Sequence, residues 1–550
     1  MKTAFAIIAC LLAVAANADS PAQPNILLLM AEDMSSRVGA FGDEVAVTPN
    51  IDKLARQGVR YTNTFTAAGV CAPSRAAHIL GMHQISTGTQ HMRSGMRPQG
   101  GYFAVPPAEV KAYPELMRAA GYYTFTDHKL DYQFSRVRAN SGPFTIWDAE
   151  GDASWRNKGS GQAFFGMINF EICHESGIFR PLGSWPNSRT HLMMQLGRWW
   201  IFDDVQTGLV RPDAVAIPPY YPDTPTVRQD IARHYDNIAH MDKQVGDILE
   251  QLEEDGLADN TIVIWTTDHG DGLPRAKREL FDSGIKVPMI IRWPEAYLPD
   301  DLAPGDVDTR MISFIDLAPT ILELAGVTRP NYLQGRNFVS VEEPPRRYIY
   351  ASRDRIDEVP DRQRAVRDDR FKYIRSWYPE QPEGIELAFR DNIDMVREMR
   401  ELYKAGKLNK VQSQWFEAPG NERLFDLQRD PFEINNVEAD PRYQQDLNRM
   451  RASLDTRLAE VEDWSSEPES IMVERLAPGG IQSVTPAPEI KLANGVLTIE
   501  ASDNSSIGYR LDEGQWQLYA RAIDLSGVDV VEAKAVRYGW TESEVVVLRP

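Results

Sequence analysis

Asn25-Ile26-Leu27-Leu28-Leu29-Met30 is an unbroken apolar run behind a single amide side chain. A strand with one wet face alternates apolar and polar residues. A run without alternation suits a strand covered on both faces, as in a parallel sheet flanked by helices. Comparable runs recur at Tyr122–Thr126, Phe164–Phe170, Thr261–Thr267 and Val287–Ile291. Helical patterns separate them. The clearest starts at Asp223-Thr224-Pro225, a capping residue followed by proline at the first helical position. Ile231, Tyr235, Ile238, Val245, Ile248 and Leu252 then keep three-to-four spacing. This alternation predicts a large doubly wound α/β domain over residues 19–340.

Beyond residue 340 the character changes. Residues 346–375 hold ten basic and six acidic side chains, with short strand-like pieces at Tyr348-Ile349-Tyr350 and Phe371-Lys372-Tyr373-Ile374. A helical stretch follows near Leu447–Val461, so residues 341–475 read as a smaller α+β subdomain. Pro478-Gly479-Gly480 and Pro486-Ala487-Pro488 punctuate a linker. Val496–Ile499, Trp516–Tyr519, Val530–Tyr538 and Val545–Leu548 then predict a β-sandwich-like module over 481–550.

Of 550 residues, 59 are Lys or Arg and 79 are Asp or Glu, a net charge of −20. That balance argues against a nucleic-acid partner, which would meet a basic face. Lys2, the apolar stretch Phe5–Ala15 and Ala16-Asn17-Ala18 read as an export signal over residues 1–18, predicting a periplasmic or secreted protein. No later segment is apolar for long enough to cross a bilayer as a helix. Ile7-Ile8-Ala9-Cys10 loosely matches a lipoprotein box, but it comes too early in the chain to favour an anchor. Signal removal leaves Cys71 and Cys173. Exported chains commonly pair such cysteines; the surroundings of Cys71 point elsewhere.

In open α/β sheets, ligands bind beyond the carboxyl ends of the strands. The first run here leads into Glu32-Asp33, and the next into Asp127-His128-Lys129. The run at Phe164 leads to Glu171 and His174-Glu175, and the run at Thr261 to Asp268-His269-Gly270-Asp271. Single acidic pairs often serve as caps and turns. Four such strand ends on one edge point to a site, and carboxylate oxygens there suit a hard divalent cation. Cys71-Ala72-Pro73-Ser74-Arg75 has its proline where a first helical turn accepts it, placing Cys71 at the positive helix end with Arg75 one turn along. An anionic group would be welcome there.

Cys71, Pro73 and Arg75 satisfy the Cys-x-Pro-x-Arg signature, and the chain resembles the type I sulfatases of the alkaline-phosphatase superfamily, in their carbohydrate-directed branch. The resemblance runs from about residue 24 to 440. It takes in Pro49–Ala55, Asp268-His269-Gly270, Phe281–Pro288, Leu424–Leu427 and Asp430–Asn436. It implies a sulfuric ester hydrolase acting on a sulfated carbohydrate, with Cys71 converted to formylglycine by a formylglycine-generating enzyme. By the same resemblance, Glu32, Asp33, Asp268 and His269 hold Ca²⁺, or Mg²⁺, facing residue 71. Arg75, Lys129 and Lys277 surround the sulfate, and His174, with Lys277, serves the leaving group. Phosphonate or phosphodiester hydrolases of the superfamily, and an inactive sulfated-glycan-binding protein, are the alternatives.

The aldehyde has a chemical rationale. A serine attacking a sulfate ester would remain sulfated, whereas an aldehyde hydrate carries a second hydroxyl that can expel sulfate by re-forming the carbonyl. Sulfuryl transfer should resemble phosphoryl transfer, with charge spread over nonbridging oxygens, so fixed cations are the main catalytic device. The sequence also departs from the family pattern. Leu80-Gly81-Met82 stands where Thr-Gly-Arg is usual, Glu32-Asp33 where Asp-Asp is commoner, and Lys129-Leu130-Asp131 where Lys-x-His is usual. Asp131, His128 and His91 are therefore the candidate bases for sulfate elimination. His91 and Arg93, in Gln90-His91-Met92-Arg93, resemble sugar contacts of polysaccharide-directed members. His234 and His240 fit a structural role in the long helix, while Trp199-Trp200 suits either a sugar platform or core. The local charges predict a basic mouth on an acidic protein, with residues 346–375 contributing, and an unpaired Cys173.

Overall fold

The computed structural model describes residues 23–97, 99–202, 208–493, 496–525 and 527–550; the expected export signal lies outside them. The central sheet contains β1 (Asn25–Ala31), β2 (Val59–Phe65), β3 (Tyr123–Thr126), β4 (Ala149–Glu150), β5 (Phe164–Phe170), β6 (Thr261–Thr267), β7 (Lys286–Arg292), β8 (Val307–Asp308) and β9 (Ile312–Ser313). Its order is β4-β3-β5-β1-β6-β7-β2-β8, with β9 also paired to β2.

β1 sits between β5 and β6, parallel to both, with Leu28 opposite Met167 on one side and Ile264 on the other. Its side chains divide between two cores. Ile26, Leu28 and Met30 pack with Ile79, Tyr113, Met117 and Ile321. These come from α2 (Cys71–Leu80), α3 (Tyr113–Ala119) and α7 (Leu317–Leu324). Leu27, Leu29 and Ala31 pack with Ile51, Leu54, Ile238, Met241 and Leu252. Those belong to α1 (Pro49–Gln57) and α5 (Pro225–Glu254). Helices on both faces explain why the strand has no polar position after Asn25. As the sequence predicts, Thr224 caps α5, its Oγ1 accepting from Val227 N–H at 3.2 Å.

The sheet is mixed rather than wholly parallel. β7 runs antiparallel to β6 and β2. A parallel partner would require a crossover, usually helical; residues 268–285 instead turn back over the carboxyl end of β6. They pack closely enough that a Cβ on Gly270 would lie 1.9 Å from Ser283 O. This return segment therefore stays at the edge where β1, β3 and β5 also end.

A second sheet, β10 (Ile349–Arg353), β11 (Gln363–Arg367), β12 (Phe371–Ser376) and β13 (Glu422–Asp426), is antiparallel throughout. One face lies on Phe65, Leu280 and Phe281, and the other on Leu447, Met450 and Leu454 of helix Gln444–Glu460. Residues Glu489–Leu548 form two further antiparallel sheets of three and four strands. Among the described residues no helix is long and apolar enough to cross a membrane.

Candidate active site

Every expected site residue after a central strand reaches one edge. Asp33, just past β1, has φ 50°, a left-handed conformation uncommon outside glycine and tolerated better by aspartate than by most residues. Its backbone N–H donates to Asp268 Oδ1 at 3.1 Å, tying the end of β1 to that of β6. Cys71 opens α2 and is fully buried. Its Sγ lies 3.3 Å from His269 Nε2 and 3.7 Å from Asp33 Oδ1. In a converted chain that sulfur position would belong to an oxygen of the aldehyde or its hydrate.

Arg75, one turn along α2, is 1% exposed. It donates to Asp268 Oδ2 at 3.2 Å, Glu32 Oε1 at 3.1 Å and Asn169 Oδ1 at 2.6 Å. Lys129 Nζ lies 2.6 Å from Glu32 Oε1. Lys277 Nζ lies 2.5 Å from Asp33 Oδ2 and 3.2 Å from Glu175 Oε1. Burial opposes the charge on all three cations, but their carboxylates hold them firmly protonated. The acids pay unequally: burial pushes Glu32 up to about 7 against the pull of Lys129 and Arg75, whereas Lys277, with His174 and His269, overcomes burial and holds Asp33 well below the usual carboxylate range.

A divalent ion fits this donor set. Asp33, Cys71, Asp268 and His269 bring one donor atom each within 4.8 Å of one another, as do Glu32, Asp33 and His174. Glu32 Oε2 is buried with no hydrogen-bond partner, an orphan that a cation would satisfy. Carboxylate oxygens with one imidazole suit a hard ion.

His174 is half-buried. Its Nδ1 accepts from Ser176 N–H at 3.3 Å, which leaves the ring proton on Nε2. Burial, reinforced by Lys277, holds its pKa well below the ordinary value. Sequence reasoning gave no role to Asn169, Arg278 or Ser74. Asn169 ends the apolar run of β5 and orients Arg75, Arg278 grips Glu175 at 2.7 and 2.8 Å, and Ser74 Oγ donates to Asp268 O at 2.6 Å. A lone amide at a buried strand end was the signal available for Asn169.

The three candidate bases separate. His128 is 61% exposed and faces Asp152 at 3.6 Å. His91 is buried, with Nδ1 accepting from Arg355 N–H at 3.2 Å and Nε2 3.9 Å from Glu469. Its ring ties these segments together. Asp131 is buried beside Arg93, whose Nη2 lies 3.1 Å from Oδ2. His234 is buried in α5 and lies 3.2 Å from Asp271. Trp199 and Trp200 lie on α4 (Arg189–Phe202), 55% and 81% exposed, and so are not core. Leu80 and Met82 are buried in the core, so the departure from the usual signature faces packing. Cys173 is buried and free.

The expected contribution of residues 346–375 to a basic mouth fails. Arg364 is held by Asp354 and Asp463, Lys372 by Asp282 and Glu433, Arg370 by Asp426 and Arg353 by Glu279 and Glu383. These cations neutralise nearby, mostly buried carboxylates, leaving little surplus for a ligand.

A family model described as Sulfatase matches residues 24–171 and 202–327, and one described as N-sulphoglucosamine sulphohydrolase, C-terminal, matches 275–418. An ulvan-active sulfatase of Formosa agariphila is 38% identical over 558 residues, spanning 96% of this chain and 91% of the relative. A human N-sulphoglucosamine sulphohydrolase is 25% identical over 82% of this chain and 94% of its own length. The solved structure of a 2-O GAG sulfatase matches at TM-score 0.56 and 20% identity, over 81% of this chain and 94% of the other, a likeness of fold. Family models across most of residues 24–418, and a relative alike along nearly its whole length, lead to one conclusion: the chain belongs to the sulfatase family.

Proposed function

We propose that this sulfatase is exported and removes sulfate from a sulfated carbohydrate, using formylglycine at position 71 and a divalent cation, Ca²⁺ by preference. The carrying observation is the position of Cys71: buried at the start of α2, within 3.7 Å of both Asp33 and His269. The similarity to an ulvan-active sulfatase supports a polysaccharide or its oligosaccharides as substrate.

Glu32, Asp33, Asp268 and His269 would hold the cation, which would supply Lewis-acid polarisation of a sulfate oxygen. The hydrated aldehyde would supply one hydroxyl to attack sulfur and a second to release sulfate. Arg75, Lys129 and Lys277 keep fixed positive charge where nonbridging oxygens gather negative charge. His174 presents its Nε2 proton toward the departing sugar oxygen. Asp131, a candidate elimination base, is buried, and Arg93 and Lys129 overcome that burial to hold it ionised, below the usual carboxylate range.

The test is sulfate release by protein made with a formylglycine-generating enzyme, alongside the mass of the tryptic peptide carrying residue 71. The expected result is the aldehyde mass and turnover of a sulfated glycan. An aldehyde-bearing protein that prefers phosphodiesters, or binds sulfated glycans without releasing sulfate, overturns the proposal.

A further inference from the structure

The residues assigned above account for the sulfate, not for a cavity beside it. This cavity of about 470 Å³ lies between the catalytic domain and the C-terminal module. It falls within the range of small-molecule sites, roughly 300–1,000 Å³, with room for more than a sulfate group. Arg93, Asp131 and Arg136 line one side, and Ala477, Gln482 and Gly539 the other.

One loop joins the catalytic side of the cavity to the active site. Residues 128–139 form a hairpin-like loop, with Leu130 N–H donating to Val137 O at 2.8 Å and Ala139 N–H to His128 O at 2.9 Å. Its root carries Lys129 against Glu32; farther along, Asp131 and Arg136 face the cavity. Arg93, Asp131 and Gln133 all have positive φ, at 50°, 59° and 68°. Three such non-glycine residues around one cavity are costly, and strain of this kind gathers at ligand sites. The Arg93 Nε is buried without a hydrogen-bond partner. Arg136 is exposed, with no carboxylate partner among the described residues.

The far wall is fixed rather than loosely tethered. Phe134 stacks on Tyr538 with ring centroids 4.9 Å apart, and the Tyr538 hydroxyl donates to buried Glu115 at 2.7 Å. At Gly539, φ is 79° and a Cβ would lie 2.0 Å from Ala104 O. Ala104 N–H in turn donates to Gln133 O at 3.0 Å. The module is thus seated directly against the segment that supports the loop.

We propose that this cavity is a subsite for the sugar adjoining the one that loses sulfate, and that Arg136 recognises an anionic substituent on that sugar. The substituent is a carboxylate or a second sulfate. The inference rests on the carbohydrate reading above. It makes the C-terminal module one wall of the binding site rather than an inert cap.

The experiment uses the full chain with Arg136→Gln, or with Ala477→Trp to fill the cavity from the segment that leads into the module. Ulvan oligosaccharides and their sulfated monosaccharide are the probes, read by steady-state kinetics and by equilibrium titration in a Cys71→Ala background. Either substitution should raise the oligosaccharide KM and Kd about tenfold, the effect of one lost charged contact, with kcat held. Constants for the monosaccharide, too short to reach the cavity, should stay within about twofold. Carboxyl-reduced oligosaccharides that erase the Arg136 effect identify the carboxylate; persistence identifies the second sulfate. Oligosaccharide constants that move in neither variant overturn the subsite while leaving the sulfatase reading intact. A parallel loss on both substrates also overturns it, marking a structural role. Conversely, absent sulfate release with titration still weakened by both substitutions defeats the functional reading and spares the subsite.

Discussion

Lys277 Nζ and Asp33 Oδ2 meet at 2.5 Å, although 244 positions separate them. The contact closes the site: Asp33 lies just past β1 and Lys277 in the return segment between β6 and β7. Asp33 is pinned from its other side by Glu175 N–H, which donates to the same oxygen at 2.7 Å. The lysine orients a carboxylate and, in the proposed function, places a charge beside the sulfate. Lys277→Met should lower kcat by about a hundred- to a thousandfold, as loss of one preorganised electrostatic group does. Sulfate-release kinetics on the folded variant check this.

Cys71 makes no contact that the fold depends on beyond its small buried volume. Cys71→Ala should therefore abolish sulfate release yet shift the unfolding midpoint little. Activity assays beside thermal denaturation read both. A variant retaining turnover would remove residue 71 from the chemistry.

His174 should matter in proportion to the difficulty of the leaving group. With His174→Ala, turnover of a sugar sulfate should fall about 10²–10⁴-fold, the usual worth of a positioned acid. An aryl sulfate with an acidic phenol should suffer far less. Equal losses on both substrates would argue against proton delivery.

A bound cation should stabilise the fold as well as serve the chemistry. Glu32, Asp33, Asp268, His269 and His174 converge here, and Glu32 Oε2 lacks a partner. Exhaustive chelation should abolish activity and lower the melting temperature. Adding Ca²⁺ to a hundred times its Kd should restore about 2.7 kcal/mol. Calorimetry with and without the ion tests this.

Tyr538 anchors the C-terminal module through Glu115, which also accepts from Thr145 Oγ1 at 2.6 Å. Tyr538→Phe keeps the stacking on Phe134 but removes a donor to a buried carboxylate. The expected cost is about 1–3 kcal/mol, measured by denaturant unfolding.

Much of this protein was legible along the chain. The runs at Phe164–Phe170 and Thr261–Thr267 match their strands in full, because burial on both faces leaves a signal that neighbouring residues carry themselves. β2 escaped notice because Arg60, Thr62, Asn63 and Thr64 interrupt its apolar residues. The Cys71–Arg75 spacing located a helix start with its arginine one turn away, since helical geometry is local. Strand-end positions likewise gave Glu32, Asp33, Lys129 and Asp268.

The layered core, the helix that presents Cys71 and the acids and cations available at one edge are thus written along the chain. Folding in three dimensions was needed to set β7 antiparallel and bring Lys277 back to Asp33. It alone neutralised the basic segment 346–375, tied His91 to Arg355 and set the C-terminal module against Arg136's cavity. The physical reason is range. Periodicity and capping act over a few residues, whereas strand direction, the partner of a charge and the wall of a cavity are fixed by groups hundreds of positions away.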